Sequence, residues 1–99
     1  LVLGHDSCGA VSAGVKAQQA GATFPGHIQG LADAIKPSVA KVLTMPGVLL
    51  DNAIAQNVKD TVARLKSESS LLADALAKGK LAIVGGIYKL DSGKVELIA

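Results

Sequence analysis

The order of hydrophobic patterns along this chain predicts an α/β fold. Three observations carry the prediction: a short apolar run closed by a glycine, a long middle region at helical spacing, and a final apolar run followed by a turn and an alternating segment. Ninety-nine residues suit a single domain, 1–99, in which roughly 60–70% of the unfolded surface can be buried.

Leu1–Leu3 form a continuous apolar run ending at Gly4, the pattern of a strand covered on both faces. The chain opens on this run without a methionine, so residues ahead of position 1 are expected in the natural protein. A helix follows from about Gly9 to Gln19, with Val11 and Val15 one turn apart and Ala10, Ala13, Gly14 and Ala17 leaving room for close packing. The segment AGATFPGH then interrupts the pattern with glycines and a proline. In IQGLADAIKPSVAKVL, Ile28, Leu31, Ile35, Val39 and Val42 return to helical spacing. Pro37 lacks an amide donor and disfavours helical geometry at Lys36, which predicts a break or two abutting helices there.

After TMPGV, Asp51 can cap a helix whose stripe is Ile54, Val58, Val62 and Leu65 and which reaches about Lys66. Ser69 or Ser70 can cap a shorter helix carrying Leu72 and Leu76, and Gly79 stands where a left-handed terminal residue is wanted. KLAIVGGIYKL reads as a buried strand, DSG as a turn, and KVELI as an edge strand alternating Val95 and Leu97 with outward positions.

Composition narrows the partners. Hydrophobic residues make up 49% of the chain, but sixteen of them are alanine and only 2% of all residues are aromatic, so the core must rest on Leu, Val, Ile and close helix packing. The formal charge is +2 and the lysines are scattered without a basic run or interleaved aromatics, which gives nucleic-acid binding no support. No apolar stretch approaches the roughly 18 residues of a membrane span. One cysteine cannot form an internal disulfide, so nothing marks an oxidised scaffold. The expectation is a soluble protein of the cytoplasm rather than the periplasm.

That one cysteine stands in LVLGHDSCGA, three residues after His5 and between the first strand and the first helix. Open α/β sheets place ligands at the carboxyl ends of their strands. Imidazole and thiolate are natural zinc ligands, this spacing lets both converge on one ion, and an electropositive helix start suits a thiolate. A catalytic zinc needs about three protein ligands, however, and the only other histidine is His27. A buried cysteine beside a capping histidine uses the same residues, as does a thiol nucleophile paired with His27 or an anion held by helix amides. Ser7 lacks the glycine two residues before it that a serine nucleophile elbow requires. Asp6 reads as a partner of the ligands or as a helix cap. Asn57 interrupts its helix's apolar stripe, Tyr88 reads as a packing residue, and Lys36, Lys41, Lys59 and Lys66 read as solvated surface.

The segment VLGHDSCGAV resembles the zinc-binding segment of β-class carbonic anhydrases, in which a strand ends in Gly-His-x-x-Cys-Gly-Ala. LADAIKPSV, NVKDTVARLKSES and GKLAIVGGIYKLDSGKVEL are similar in order and wording to that family's helices and terminal hairpin, so the resemblance spans Leu1 to Ile98. It implies a mainly parallel sheet flanked by helices and ending in an antiparallel edge hairpin, with one or more amino-terminal strands absent from this chain. It makes His5 and Cys8 two of the family's three protein zinc ligands, with Gly9 permitting close backbone approach at the turn. The family's other ligand belongs to a Cys-x-Asp-x-Arg motif on an earlier strand, which this chain lacks; Arg64, its one arginine, sits in a helix, so no catalytic aspartate or arginine is assigned. The implied function is zinc-dependent reversible hydration of carbon dioxide to bicarbonate by the complete protein, in a homodimer or larger assembly, with the 99-residue chain inactive alone. The competing expectation is a carbonic-anhydrase-like scaffold without catalysis.

Overall fold

The computed structural model describes all 99 residues and contains seven elements. They run β1 (Val2–His5), α1 (Gly9–Ala20), α2 (Ile28–Val42), α3 (Leu49–Glu68), α4 (Ser70–Ala77), β2 (Gly85–Tyr88) and β3 (Val95–Leu97). The sheet has the order β1-β2-β3. Its first pair is parallel, in register from Val2 opposite Gly85 to His5 opposite Tyr88, and its second is antiparallel, from Gly86 opposite Leu97 to Tyr88 opposite Val95. All four helices lie within the single crossover between β1 and β2.

Side-chain alternation sorts the sheet into two unlike faces. Val2 and Gly4 lie on the face carrying Gly85 and Ile87, against which α3 packs Ile54, Val58 and Val62. The approach is close because both strands present glycine: a Cβ at Gly4 would stand 2.6 Å from Val58 Cγ2, and one at Gly85 would stand 2.7 Å from Val58 Cγ1. Behind α3 the core continues through Val11, Ile35, Val39, Val42 and Ala53. The opposite face, with Leu3, His5, Gly86, Tyr88, Val95 and Leu97, has no helix on it, and Leu3 is half exposed. Within these 99 residues β1 has one helix-covered face, where its apolar run predicts cover on both.

Two further expectations change. α2 runs unbroken through Pro37. Pro37 is exposed, so the Asp33 carbonyl it leaves without a helical donor faces solvent, while buried Ile35, Val39 and Val42 hold the helix on either side. The strand expected over 80–90 is confined to Gly85–Tyr88. It is limited to the residues in register with β1, from Gly85 opposite Val2 to Tyr88 opposite His5.

The helix ends follow their caps. α3 starts at Leu49, with Asp51 inside its first turn rather than at the cap. Ser69 caps α4 by accepting the Leu72 amide at 3.3 Å, and Gly79 adopts φ +69° just beyond that helix. No helix is long and apolar enough to cross a membrane.

Candidate metal centre

His5 ends β1, and the chain then turns into α1 through three residues. The Asp6 amide donates to the Tyr88 carbonyl at 3.2 Å, carrying the pairing with β2 one residue beyond the ladder. Ser7 turns the chain with φ +53° and is the one non-glycine residue in the left-handed region. Such a conformation costs about 1–2 kcal/mol and persists where its surroundings hold it. Cys8 occupies the N-cap of α1 in an extended conformation, and its carbonyl accepts the first helical bond, from the Ser12 amide at 3.0 Å.

The turn carries an imidazole and a thiol three residues apart. His5 Nδ1 donates to the Asp6 carbonyl at 2.8 Å, which fixes the ring and leaves Nε2 as the available ligand atom. The ring is exposed, on the sheet face that carries Tyr88. Cys8 is a free, half-buried thiol packed against the edge of the core and makes no side-chain cap bond. An imidazole with one nitrogen already engaged and a thiol at a helix amino terminus suit zinc in kind. No group of three or more histidine, cysteine, aspartate or glutamate side chains comes together in the chain, fewer than the roughly three ligands a catalytic zinc requires.

The remaining candidates separate. His27 is exposed at the start of α2 without a side-chain capping bond, and the structure gives no bond between it and Cys8. A Cβ at Gly9 would meet nothing within 4 Å, so the close approach expected there is not made within this chain. Asp6 is neither the cap of α1 nor bonded to the His5 ring through its carboxylate. Its Oδ1 accepts the Leu90 amide at 3.1 Å, a link across 84 positions that sequence spacing could not reveal.

A polar cleft of about 400 Å³ lies away from this turn, between α2 and α3. Within it Asp60 accepts from buried Ser38 (2.7 Å), from Lys41 (2.9 Å) and from Gln56 (2.8 Å). Lys41 is thus an ion-pair partner rather than plain surface, and Asn57 lines the same cleft. Burial pushes the Asp60 carboxyl up, but the bonds from Ser38, Lys41 and Gln56 and the charge of Lys41 outweigh it and hold the group below the usual carboxylate range. With Ser38 and Lys41 of α2 and Gln56 of α3 all donating to Asp60, the network clamps two helices together.

Fold and turn together define an α/β protein that presents an imidazole and a thiol at the carboxyl end of its parallel strands. The carbonic anhydrase family matches residues 1–95, and the chain belongs to the β-carbonic anhydrases. It is 40% identical over 97 residues to a carbonic anhydrase of Mycolicibacterium smegmatis and 38% identical to carbonic anhydrase 2 of Mycobacterium tuberculosis. Each match covers 98% of this chain and 47% of the relative, so the chain spans about half the length of those proteins. Its fold is similar to that of the β-carbonic anhydrase CcaA, with a TM-score of 0.73 and 21% identity over 98% of this chain and 48% of that one. β-Carbonic anhydrases are generally zinc-dependent.

Proposed function

We propose that His5 and Cys8 are zinc ligands in a β-carbonic anhydrase that interconverts carbon dioxide and bicarbonate. The observation that carries this reading is the His5–Cys8 turn, with one ring nitrogen engaged and a free thiol at the start of α1. Bound zinc supplies Lewis-acid activation of water near neutral pH, the chemistry needed to add water to carbon dioxide. The chain's own residues orient that centre. The Asp6 carbonyl fixes the His5 ring, and the α1 amino terminus offsets the negative charge of a Cys8 thiolate. The third ligand and the family's aspartate–arginine pair come from outside these 99 residues, so the chain by itself is inactive. The resemblance also supports assembly with a second copy of the protein, and a free thiol suits a reducing compartment such as the cytoplasm.

Elemental analysis tests the reading. The complete protein is expected to carry about one zinc per chain, and Cys8→Ser in it is expected to remove most of that zinc together with carbon dioxide hydration. Undiminished zinc in Cys8→Ser would sink the ligand assignment. The scaffold reading has one observation in its favour, the two-donor site. Complete wild-type protein with neither zinc nor hydration activity would establish it instead.

A further inference from the structure

We infer that Asp6 is a positioning residue that holds the His5–Cys8 turn in its ligating shape through the backbone of Leu90. The inference rests on the zinc reading above and extends it to a residue that touches no metal.

Three of Asp6's polar groups are engaged around the turn. Its amide donates to the Tyr88 carbonyl at 3.2 Å, its carbonyl accepts from His5 Nδ1 at 2.8 Å, and its carboxylate Oδ1 accepts the Leu90 amide at 3.1 Å. The first bond continues the β1–β2 pairing past its last rung, and the second sets the ring of one ligand. The third is the long-range side-chain bond of the turn, and it ties the turn to the hairpin that joins β2 to β3. That hairpin is itself closed by the Lys89 amide on the Lys94 carbonyl and the Gly93 amide on the Lys89 carbonyl, each at 2.8 Å.

The turn needs such a tie because its next residue is Ser7, whose φ of +53° is uncommon for a residue with a Cβ. Without the Leu90 bond, Asp6 would still pair with Tyr88, but nothing on its side chain would resist relaxation of Ser7 toward an ordinary conformation. That relaxation would swing Cys8 relative to His5, because Ser7 is the pivot between the strand that carries one ligand and the helix that carries the other. The role requires an acceptor oxygen at one reach and no negative charge.

Three variants separate reach from charge: Asp6→Asn keeps the acceptor at the same reach, Asp6→Ala removes it, and Asp6→Glu keeps the charge but displaces it by a methylene. The readouts are zinc affinity by chelator competition, the cobalt(II) spectrum of the substituted protein, exchange of the Leu90 amide, and the alkylation rate of Cys8 in metal-free protein. Asp6→Ala and Asp6→Glu are expected to lose about 10–100-fold in zinc affinity, as other groups that orient metal ligands do, with an altered cobalt spectrum, faster Leu90 exchange and a changed Cys8 alkylation rate. Asp6→Asn is expected to stay near wild type in all four. If either losing variant exposes the Leu90 amide yet keeps wild-type zinc affinity and cobalt spectrum, the bond is structural only and the inference is overturned. If Asp6→Asn loses as much as Asp6→Ala, charge is responsible and the inference is equally overturned. Should wild type bind no zinc, or Cys8→Ser bind it as tightly as wild type, the zinc reading fails separately. Cys8 alkylation then decides alone: a rate changed in Asp6→Ala or Asp6→Glu but not in Asp6→Asn supports positioning, and an unchanged rate overturns it. If Asp6→Ala does not fold, Asp6→Glu supplies the losing arm of the same comparison.

Discussion

Asp60 shows what a single side chain contributes when three donors converge on it. Its bond from buried Ser38 is the more valuable part, because a Ser38 hydroxyl without its acceptor would be buried and unmet, whereas Lys41 is largely exposed and its ionic share is screened by water. Asp60→Asn still offers Ser38 a partner but gives up the ionic strengthening of all three bonds, and is expected to destabilise the protein by about 1 kcal/mol at pH 7, measured by urea unfolding. The pH dependence follows from the lowered carboxyl pKa. Above the ordinary value of 3.8 the carboxylate is ionised both folded and unfolded, and its contribution is complete. As pH falls through that value the unfolded chain takes up the proton first, and the contribution is lost as pH falls through the lower folded value. The gap between wild type and Asp60→Asn should thus be constant from pH 5 to 8 and close under stronger acid; a gap that persists there would show that the carboxylate is not its source. None of this network was legible in the sequence, since Ser38 and Asp60 stand 22 positions apart on different helices. His5 and Cys8 were legible because a single turn holds both, and their chemistry is local.

Helices were the most readable elements because most of their period is carried by residues that end up buried, while Ile28, Leu31 and Leu65 on the same stripes are exposed. Val11, Ile35, Val39, Val42, Ile54, Val58 and Val62 were all placed on helical stripes and all lie in the interior. Strands were read less well: β2 needs a paired neighbour and not only an apolar run. The crossing of α1 and α2 shows how packing overrides propensity. A Cβ at Gly14 would stand 2.7 Å from Ile35 Cγ2 and 3.0 Å from Ile35 Cβ, on a stiff β-branched side chain that is itself buried. Gly14→Ala gains about 1 kcal/mol of helix propensity but forces the helices apart, at a cost of about 1–3 kcal/mol. A net loss of stability is expected. Gly30 in α2 is exposed and a Cβ there meets nothing within 4 Å, so Gly30→Ala should keep the propensity gain and stabilise the protein by up to about 1 kcal/mol. Paired urea titrations decide the point, and equal stabilisation by both substitutions would show that α1 and α2 do not cross as closely as the structure has them.

At the scale of the 99-residue chain, the sheet is covered on one side only. Fifteen of 99 residues are buried, a small core for this length, while Leu97 is 68% exposed, Leu3 51% and Val95 44%, all on the face that lacks helices. These side chains form one apolar surface beside His5 and Tyr88, and β1 leaves its outer edge unpaired along the same border. Exposed apolar faces and free strand edges both promote association. The 99-residue chain expressed by itself is therefore expected to bind the dye ANS and to grow in apparent mass with concentration in light scattering. Leu3→Lys combined with Leu97→Lys should lower both signals. Neither residue belongs to the core cluster, so the double variant should unfold at nearly the wild-type urea concentration. The stability measurement makes the result interpretable: loss of association with an unchanged midpoint assigns the effect to the open face, because a loosened core would lower the midpoint and raise dye binding. Wild-type chain that stays monodisperse and dark with the dye at high concentration would mean that these side chains close over one another in solution, and the open-face description would then be wrong.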